Sequence, residues 1–248
     1  SLLVLPLGRI NEPLASVAIP ALSRLAGEPE QYRQAYRRII GMLCVITMPL
    51  VACLIAASEW AVLVLLGPQW VEASLIFALL GISGFLEPFL YTFSWLFTSQ
   101  ARTKEQFNWG LAGTAVTVVA ILIGLPWGAV GIAAAYGISG LLIRAPLSFW
   151  FAGRKGPVGI AYLYRIVLPF VLTSMAILAA VSFFRFSFPN LDPLLGLAGS
   201  GLITAGVTLG VLAALPAGRA TLQDLRSMPA NFLRRRKQAA TATQAADA

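Results

Sequence analysis

The sequence predicts an all-α, polytopic membrane helix bundle of about seven transmembrane helices, and three observations predict it. Hydrophobic residues fill 58% of the 248 positions and charged residues only 11%, against about 25% charged in an ordinary soluble domain; the mean hydropathy is +0.80. Apolar runs reach the roughly 20 residues that a helix needs to cross a hydrocarbon core, whereas barrel strands would alternate over about 10. Lys and Arg cluster in alternate connections, as in a chain threaded back and forth through a bilayer.

The predicted spans are Ser1–Leu22, Ile39–Ala57, Ala73–Thr98, Phe107–Leu125, Ala129–Phe151, Ala161–Phe184 and Leu194–Leu215. The first is apolar apart from a polar side carrying Arg9 and Glu12, and Pro13 and Pro20 predict a kink. The second places Cys44 and Cys53 on opposite faces of one helix, so they cannot bridge each other and are read as membrane-facing or core thiols. After it, Ala61–Leu66 is apolar but too short to cross and is bracketed by Ser58-Glu59-Trp60 and Gly67-Pro68-Gln69-Trp70. An interfacial half-helix is expected there. The third span is weakened at Pro88, and in the last span Gly206 and Gly210 form a Gly-x-x-x-Gly pair read as close packing within the protein. Residues 1–215 thus form the bundle and 216–248 a basic cytoplasmic tail, expected to be disordered. Its Arg234–Lys237 cluster is either a topology anchor or a binder of anionic lipid headgroups.

Lys and Arg counts in the successive connections and the tail run 4, 0, 2, 0, 3, 1, 6, with Arg165 at the start of the sixth span counted in the connection before it, and with Arg9 and Arg144 these account for all 18. This places the segments at Arg33–Arg38, Arg102–Lys104 and Arg154–Arg165 and the tail in the cytoplasm, and Pro126–Gly128 outside. Trp60, Trp70 and Trp127 are then expected at the outer interface and Trp95, Trp109 and Trp150 at the inner one. The chain starts at Ser1 inside an apolar segment with no basic lead-in or cleavage site. No signal peptide is visible, and the start reads as a truncation.

Four charges inside the spans are the candidate functional residues: Arg9, Glu12, Glu87 and Arg144. A charge at the middle of a membrane helix costs about 2.5–3.5 kcal/mol on insertion scales, so it faces a water-filled cavity, a partner charge or a ligand. Arg9 and Glu12 share a face with Ser16 and Ser23, and they either neutralise each other or line a cavity. On the third span Ser83, Glu87, Tyr91, Ser94 and Thr98 form a stripe within about 40° of Glu87. Its hydroxyls suit either interhelical hydrogen bonds or a cavity wall, and Ser83 and Tyr91 join the candidates. On the fifth span Ala133, Gly137, Gly140, Arg144 and Ser148 share a face. Arg144 lies about 10 Å from the cytoplasmic end, close enough to snorkel there or to face a cavity.

The sequence has no His, no Cys pair at metal-ligand spacing, no Walker-type glycine loop and no Gly-x-Ser-x-Gly elbow. No catalytic residue, metal or cofactor is expected, nothing calls for nucleic acid, and transport without enzymatic chemistry fits better than catalysis.

Pro6-Leu7-Gly8-Arg9-Ile10-Asn11-Glu12-Pro13-Leu14, Ile19-Pro20-Ala21-Leu22-Ser23-Arg24-Leu25, Leu66-Gly67-Pro68-Gln69-Trp70 and Gly124-Leu125-Pro126-Trp127-Gly128-Ala129-Val130-Gly131 stand in an order that resembles the polysaccharide-exporter (Wzx-type) flippases. These belong to the multidrug/oligosaccharidyl-lipid/polysaccharide (MOP) superfamily, and the likeness is to its lipopolysaccharide-biosynthesis and colanic acid exporter branch. It covers about residues 3–155. The resemblance implies two helix bundles around a central cavity, of which this chain would be the C-terminal lobe. It implies flipping of an undecaprenyl-pyrophosphate-linked oligosaccharide across the bacterial cytoplasmic (inner) membrane by alternating access, with a cytoplasmic C-terminus. Membrane lipids and polysaccharide polymerase machinery would be the further partners. Arg9 and Arg144 would then hold the pyrophosphate, and Glu12 and Glu87 would tune the cavity or take part in coupling. A drug/cation antiporter of the same superfamily and a non-transporting membrane scaffold are the alternatives.

Overall fold

The structure, a computed structural model, describes residues 15–16 and 18–214, and every regular element among them is helical. Arg9, Glu12, most of the first predicted span and the tail lie outside the described residues. The helices are α1 (residues 18–24), α2 (Pro29–Ala56), α3 (Ser58–Leu65), α4 (Ala73–Gly84), α5 (Glu87–Ser99), α6 (Thr103–Gly124), α7 (Gly128–Ser139), α8 (Ala145–Gly153), α9 (Ile160–Ser187) and α10 (Pro193–Ala214). A π-helical turn, Gly140–Arg144, joins α7 to α8.

Among the described residues five stretches are long and apolar enough to cross a membrane: α2, Ala73–Ser99, Thr103–Gly153, α9 and α10. The 51-residue stretch Thr103–Gly153 doubles back at the 3-10 turn Leu125–Trp127. There Gly124 meets Gly131 so closely that a Cβ on Gly124 would lie 2.5 Å from the Gly131 carbonyl oxygen. The stretch is therefore an antiparallel pair of passes, α6 against α7 and α8. The chain is a polytopic membrane protein.

In lipid the gain from hiding apolar side chains from water is absent, so helices associate through close packing and interhelical hydrogen bonds. α2 is the hub of this packing, in contact with α3, α4, α5, α9 and α10. Being surrounded, it buries Cys44 and Cys53 although they point to opposite sides, and both are free core thiols. Its Tyr36 hydroxyl bonds Thr92 Oγ1 at 3.0 Å, and Tyr32 bonds Ser99 Oγ at 2.6 Å, tying α2 to α5. Trp95 is 1% exposed and Trp60 4%. Both belong to the core rather than to an interfacial belt, because α5 and α3 are covered by neighbours. Trp60 packs its ring on Gly196 of α10. Gly206 and Gly210, by contrast, are exposed with nothing within 4 Å, so that pair does not mediate packing among the described residues. Of Ala61–Leu66, all but the capping Leu66 falls in α3, which packs against α4 and α10 rather than lying alone.

Two helices break at matching points. The third predicted span is two helices, because Pro88 has no N–H for the Gly84 carbonyl and its ring crowds that carbonyl. On the facing helix Pro146 does the same to Leu142, and the turn before it widens so that Ala145 N–H donates to Gly140 O. The broken helices touch here. A Cβ on Gly137 would lie 2.4 Å from the Leu79 carbonyl oxygen, and one on Gly140 would lie 2.9 Å from Ser83 Cβ.

At the end of the bundle where α6 and α9 begin, Arg102 clasps two connections together. Its Nη1 donates to Lys155 O (2.5 Å) and Ala152 O (3.3 Å), and its Nη2 to Phe151 O (3.2 Å) and Glu105 Oε2 (2.5 Å). Gly156 supplies the left-handed backbone (φ 102°) that this turn requires.

Candidate functional site

The break between α4 and α5 makes Glu87 the first residue of a new helix inside a membrane span. It lies about 20 Å along the span from Ala73 and about 18 Å short of Ser99, near mid-depth.

Arg144 approaches from the π turn on the facing helix, and its Nη2 donates to Glu87 Oε1 at 2.5 Å. Its Nη1 donates to Thr117 Oγ1 of α6 at 3.2 Å and to the Tyr136 hydroxyl of α7 at 3.1 Å. The guanidinium also sits 4.8 Å from the Tyr136 ring centroid, a cation–π distance. Three helices thus fix one cation. The Arg144 side chain is 14% exposed and that of Glu87 44%.

The pair borders a cavity of about 330 Å³ between α5, α6 and α8, lined also by Tyr91, Trp109, Thr114, Thr117 and Ser148. Gly110 and Gly113 of α6 leave the room for it. Its floor is ordered by a chain of bonds: Trp109 Nε1 donates to Ser148 Oγ at 2.9 Å, and Ser148 Oγ donates to the Arg144 carbonyl at 2.6 Å. The cavity therefore offers a fixed cation, a more exposed carboxylate, hydroxyls and aromatic faces.

Residues 1–75 match the family model described as Polysaccharide biosynthesis protein. The match supports a family of the polysaccharide-biosynthesis type and, with the apolar helices, a membrane role in it. It ends ahead of Glu87 and Arg144, so the cavity lies in the part of the chain beyond it. No curated protein and no solved structure matches the chain.

The structure brings Glu87, Arg144 and Tyr91 to one cavity, with Tyr91 41% exposed. Ser83 lies off it: its hydroxyl donates to Leu80 O at 3.0 Å and its Cβ faces Gly140. The break after Gly84 takes it out of register with Glu87. Ser94 bonds Tyr91 O at 2.7 Å within its own helix, so neither of these hydroxyls provides interhelical glue. Arg144 does not snorkel toward α8's end. Its guanidinium points the other way, to Thr117, about 20 Å along α6 from Thr103. The sequence offers Trp109 only as an interfacial tryptophan and does not mark Thr117 or Tyr136, although the turn at Leu125–Trp127 sets Trp109 opposite Ser148 and Thr117 opposite Arg144, with Tyr136 two turns before Arg144 on the same pass. No group of three or more metal-ligating residues occurs among the described residues.

Proposed function

We propose that the chain is part of a membrane flippase, not an enzyme, that moves an undecaprenyl-pyrophosphate-linked oligosaccharide across the bacterial cytoplasmic membrane for lipopolysaccharide or exopolysaccharide synthesis. In this reading it works by alternating access, with a cytoplasmic C-terminus. The observation that carries the reading is a cation at mid-span, Arg144, held by one displaceable carboxylate beside an open cavity. The polysaccharide-biosynthesis match supports the substrate class.

The chemistry follows from the geometry. An isolated cation in hydrocarbon is costly, so Arg144 must always face an anion. Glu87 serves when the cavity is empty. A phosphate oxygen entering the cavity replaces the carboxylate as acceptor, and the more exposed Glu87 swings toward the open side. The guanidinium fork suits phosphate and keeps its charge when buried. Thr117 and Tyr136 hold Nη1 throughout, so the exchange needs little reorganisation. Tyr91 and Trp109 offer faces for a sugar ring, and Thr114 and Ser148 offer hydroxyls. Arg9, on the polar side of the first span, is a second cation for the pyrophosphate, with Glu12 beside it in sequence.

A cation antiporter is the second reading, favoured by the 44% exposure of Glu87 next to the Tyr91 ring. The two separate in a complementation experiment in cells lacking their own exporter. Arg144→Gln at normal membrane abundance is expected to reduce polymer export at least tenfold, and Arg144→Lys to retain part of it. Wild-type export by Arg144→Gln, with cation-dependent drug efflux lost in Glu87→Gln, would favour the antiporter instead.

A further inference from the structure

The bundle's two ends differ in charge. At the end where α2, α6 and α9 begin, cations including Arg33, Arg37, Arg102, Lys104, Lys155 and Arg165 outnumber Glu28, Glu30 and Glu105, whereas the other end has Glu59, Glu72 and Asp192, with Arg185 paired to Glu59. At the basic end α2 and α9 start side by side. The Tyr162 hydroxyl donates to Arg33 O at 3.2 Å, and Arg33 Nε donates to the Pro157 carbonyl.

Arg33 is neutralised by Glu30 at 2.6 Å. Arg37, one turn beyond Arg33, and Arg165, one turn beyond Tyr162, are both exposed and form no ion pair among the described residues. Each lies one turn on from the bonded Arg33 and Tyr162 on adjoining helices, and like charges on adjoining turns are unfavourable unless an anion lies between them. Below Arg165 the outward face of α9 continues through Leu168, Leu172 and Met175, all exposed. At about 100° per residue these fall on one stripe with Arg165. Unpaired cations at the head of an exposed apolar stripe match a molecule with an anionic head and a hydrocarbon tail.

We propose that the seam between α2 and α9 at the basic end seats an anionic phospholipid, its phosphate between Arg37 and Arg165 and one acyl chain along Leu168, Leu172 and Met175. Tyr162, bonded to Arg33, closes the head of the seam one turn nearer the basic end. This site does not depend on the transport reading, and it lies on helices that do not line the Glu87–Arg144 cavity.

The test uses the full chain reconstituted in phosphatidylcholine vesicles with spin-labelled phosphatidylglycerol or spin-labelled phosphatidylcholine as probe. The fraction of each immobilised on the protein is the readout. Wild type is expected to prefer phosphatidylglycerol about fivefold or more, the fold-change equivalent of about 1 kcal/mol per charge at a lipid surface. Arg37→Gln with Arg165→Gln should abolish most of the preference, while the lysine versions and Lys104→Gln with Lys155→Gln should keep it. Should the glutamine variant not reconstitute, the lysine variant and wild type still decide. The proposal is overturned if wild type shows no preference, or if the double glutamine variant keeps it. Loss to the same extent in the Lys104/Lys155 variant would assign it to overall charge. Millimolar inorganic phosphate releasing the labelled lipid from wild type would assign the seat to a free anion.

Discussion

Arg144 Nη2 meets Glu87 Oε1 at 2.5 Å where each of the two helices is broken by a proline close by, Pro88 after Glu87 and Pro146 after Arg144. The breaks and the ion pair have one origin. A proline frees a backbone carbonyl and bends its helix, opening space between neighbours. The charges occupy that space, with Gly137 and Gly140 letting the two broken helices touch just beyond them.

The pair is expected to couple energetically. Removing one member of a fully buried pair costs about 3–5 kcal/mol because the other is stranded. With 44% of Glu87 open, Glu87→Leu is expected to cost about 2 kcal/mol. The double variant Glu87→Leu with Arg144→Leu should be more stable than the sum of the singles implies, by about 1–2 kcal/mol. Unfolding of all four proteins in one detergent measures this, and strictly additive effects would deny the interaction.

Tyr136→Phe keeps the ring under the guanidinium but removes one of the two Nη1 acceptors. Thr117 remains at 3.2 Å, so the loss is expected to be about 1 kcal/mol, smaller than for Glu87→Leu. The same unfolding series provides the comparison.

Gly137→Ala puts a methyl 2.4 Å from the Leu79 carbonyl oxygen. That oxygen belongs to the backbone of α4 and cannot turn aside, so α4 and α7 must separate, at about 1–3 kcal/mol. Gly110→Ala meets nothing within 4 Å and serves as the control, with little change in stability.

Gly156→Ala forces an alanine to φ 102° and its methyl onto Gln100 Oε1. A strained backbone of this kind costs about 1–3 kcal/mol. The turn around residues 153–159 should then release Arg102 and become cleavable by added protease, while the Glu87–Arg144 region stays protected.

Much of this arrangement is legible in the sequence, and the parts that are not share a cause. Hydropathy marks the spans, and a charge within a span is conspicuous wherever it points. Rotation about a helix axis is harder to read. Ser83 shares a helical wheel with Glu87 only if the helix is continuous, and the break after Gly84 cancels that register. Trp95 looks interfacial by position along the chain, yet α5 is an inner helix. The partners of Arg144 follow from the turn at Leu125–Trp127, about which Gly124 faces Gly131, Trp109 faces Ser148 and Thr117 faces Arg144. That register is recoverable once the turn is taken as tight. The π turn at Gly140–Arg144 has only Pro146 to announce it, and a proline there is equally compatible with a simple kink.

In the proposed transport cycle Arg144 exchanges the Glu87 carboxylate for a phosphate on a lipid carrier. Equilibrium binding of undecaprenyl pyrophosphate, with uncharged undecaprenol as reference, to the purified protein and to its Arg144→Gln variant tests this most directly. Wild type is expected to prefer the pyrophosphate at least tenfold, Arg144→Gln to lose most of that preference, and Glu87→Gln to bind as tightly as wild type or tighter because the competing carboxylate is gone. Equal affinity of wild type for the two lipids, or an unchanged preference in Arg144→Gln, would contradict it.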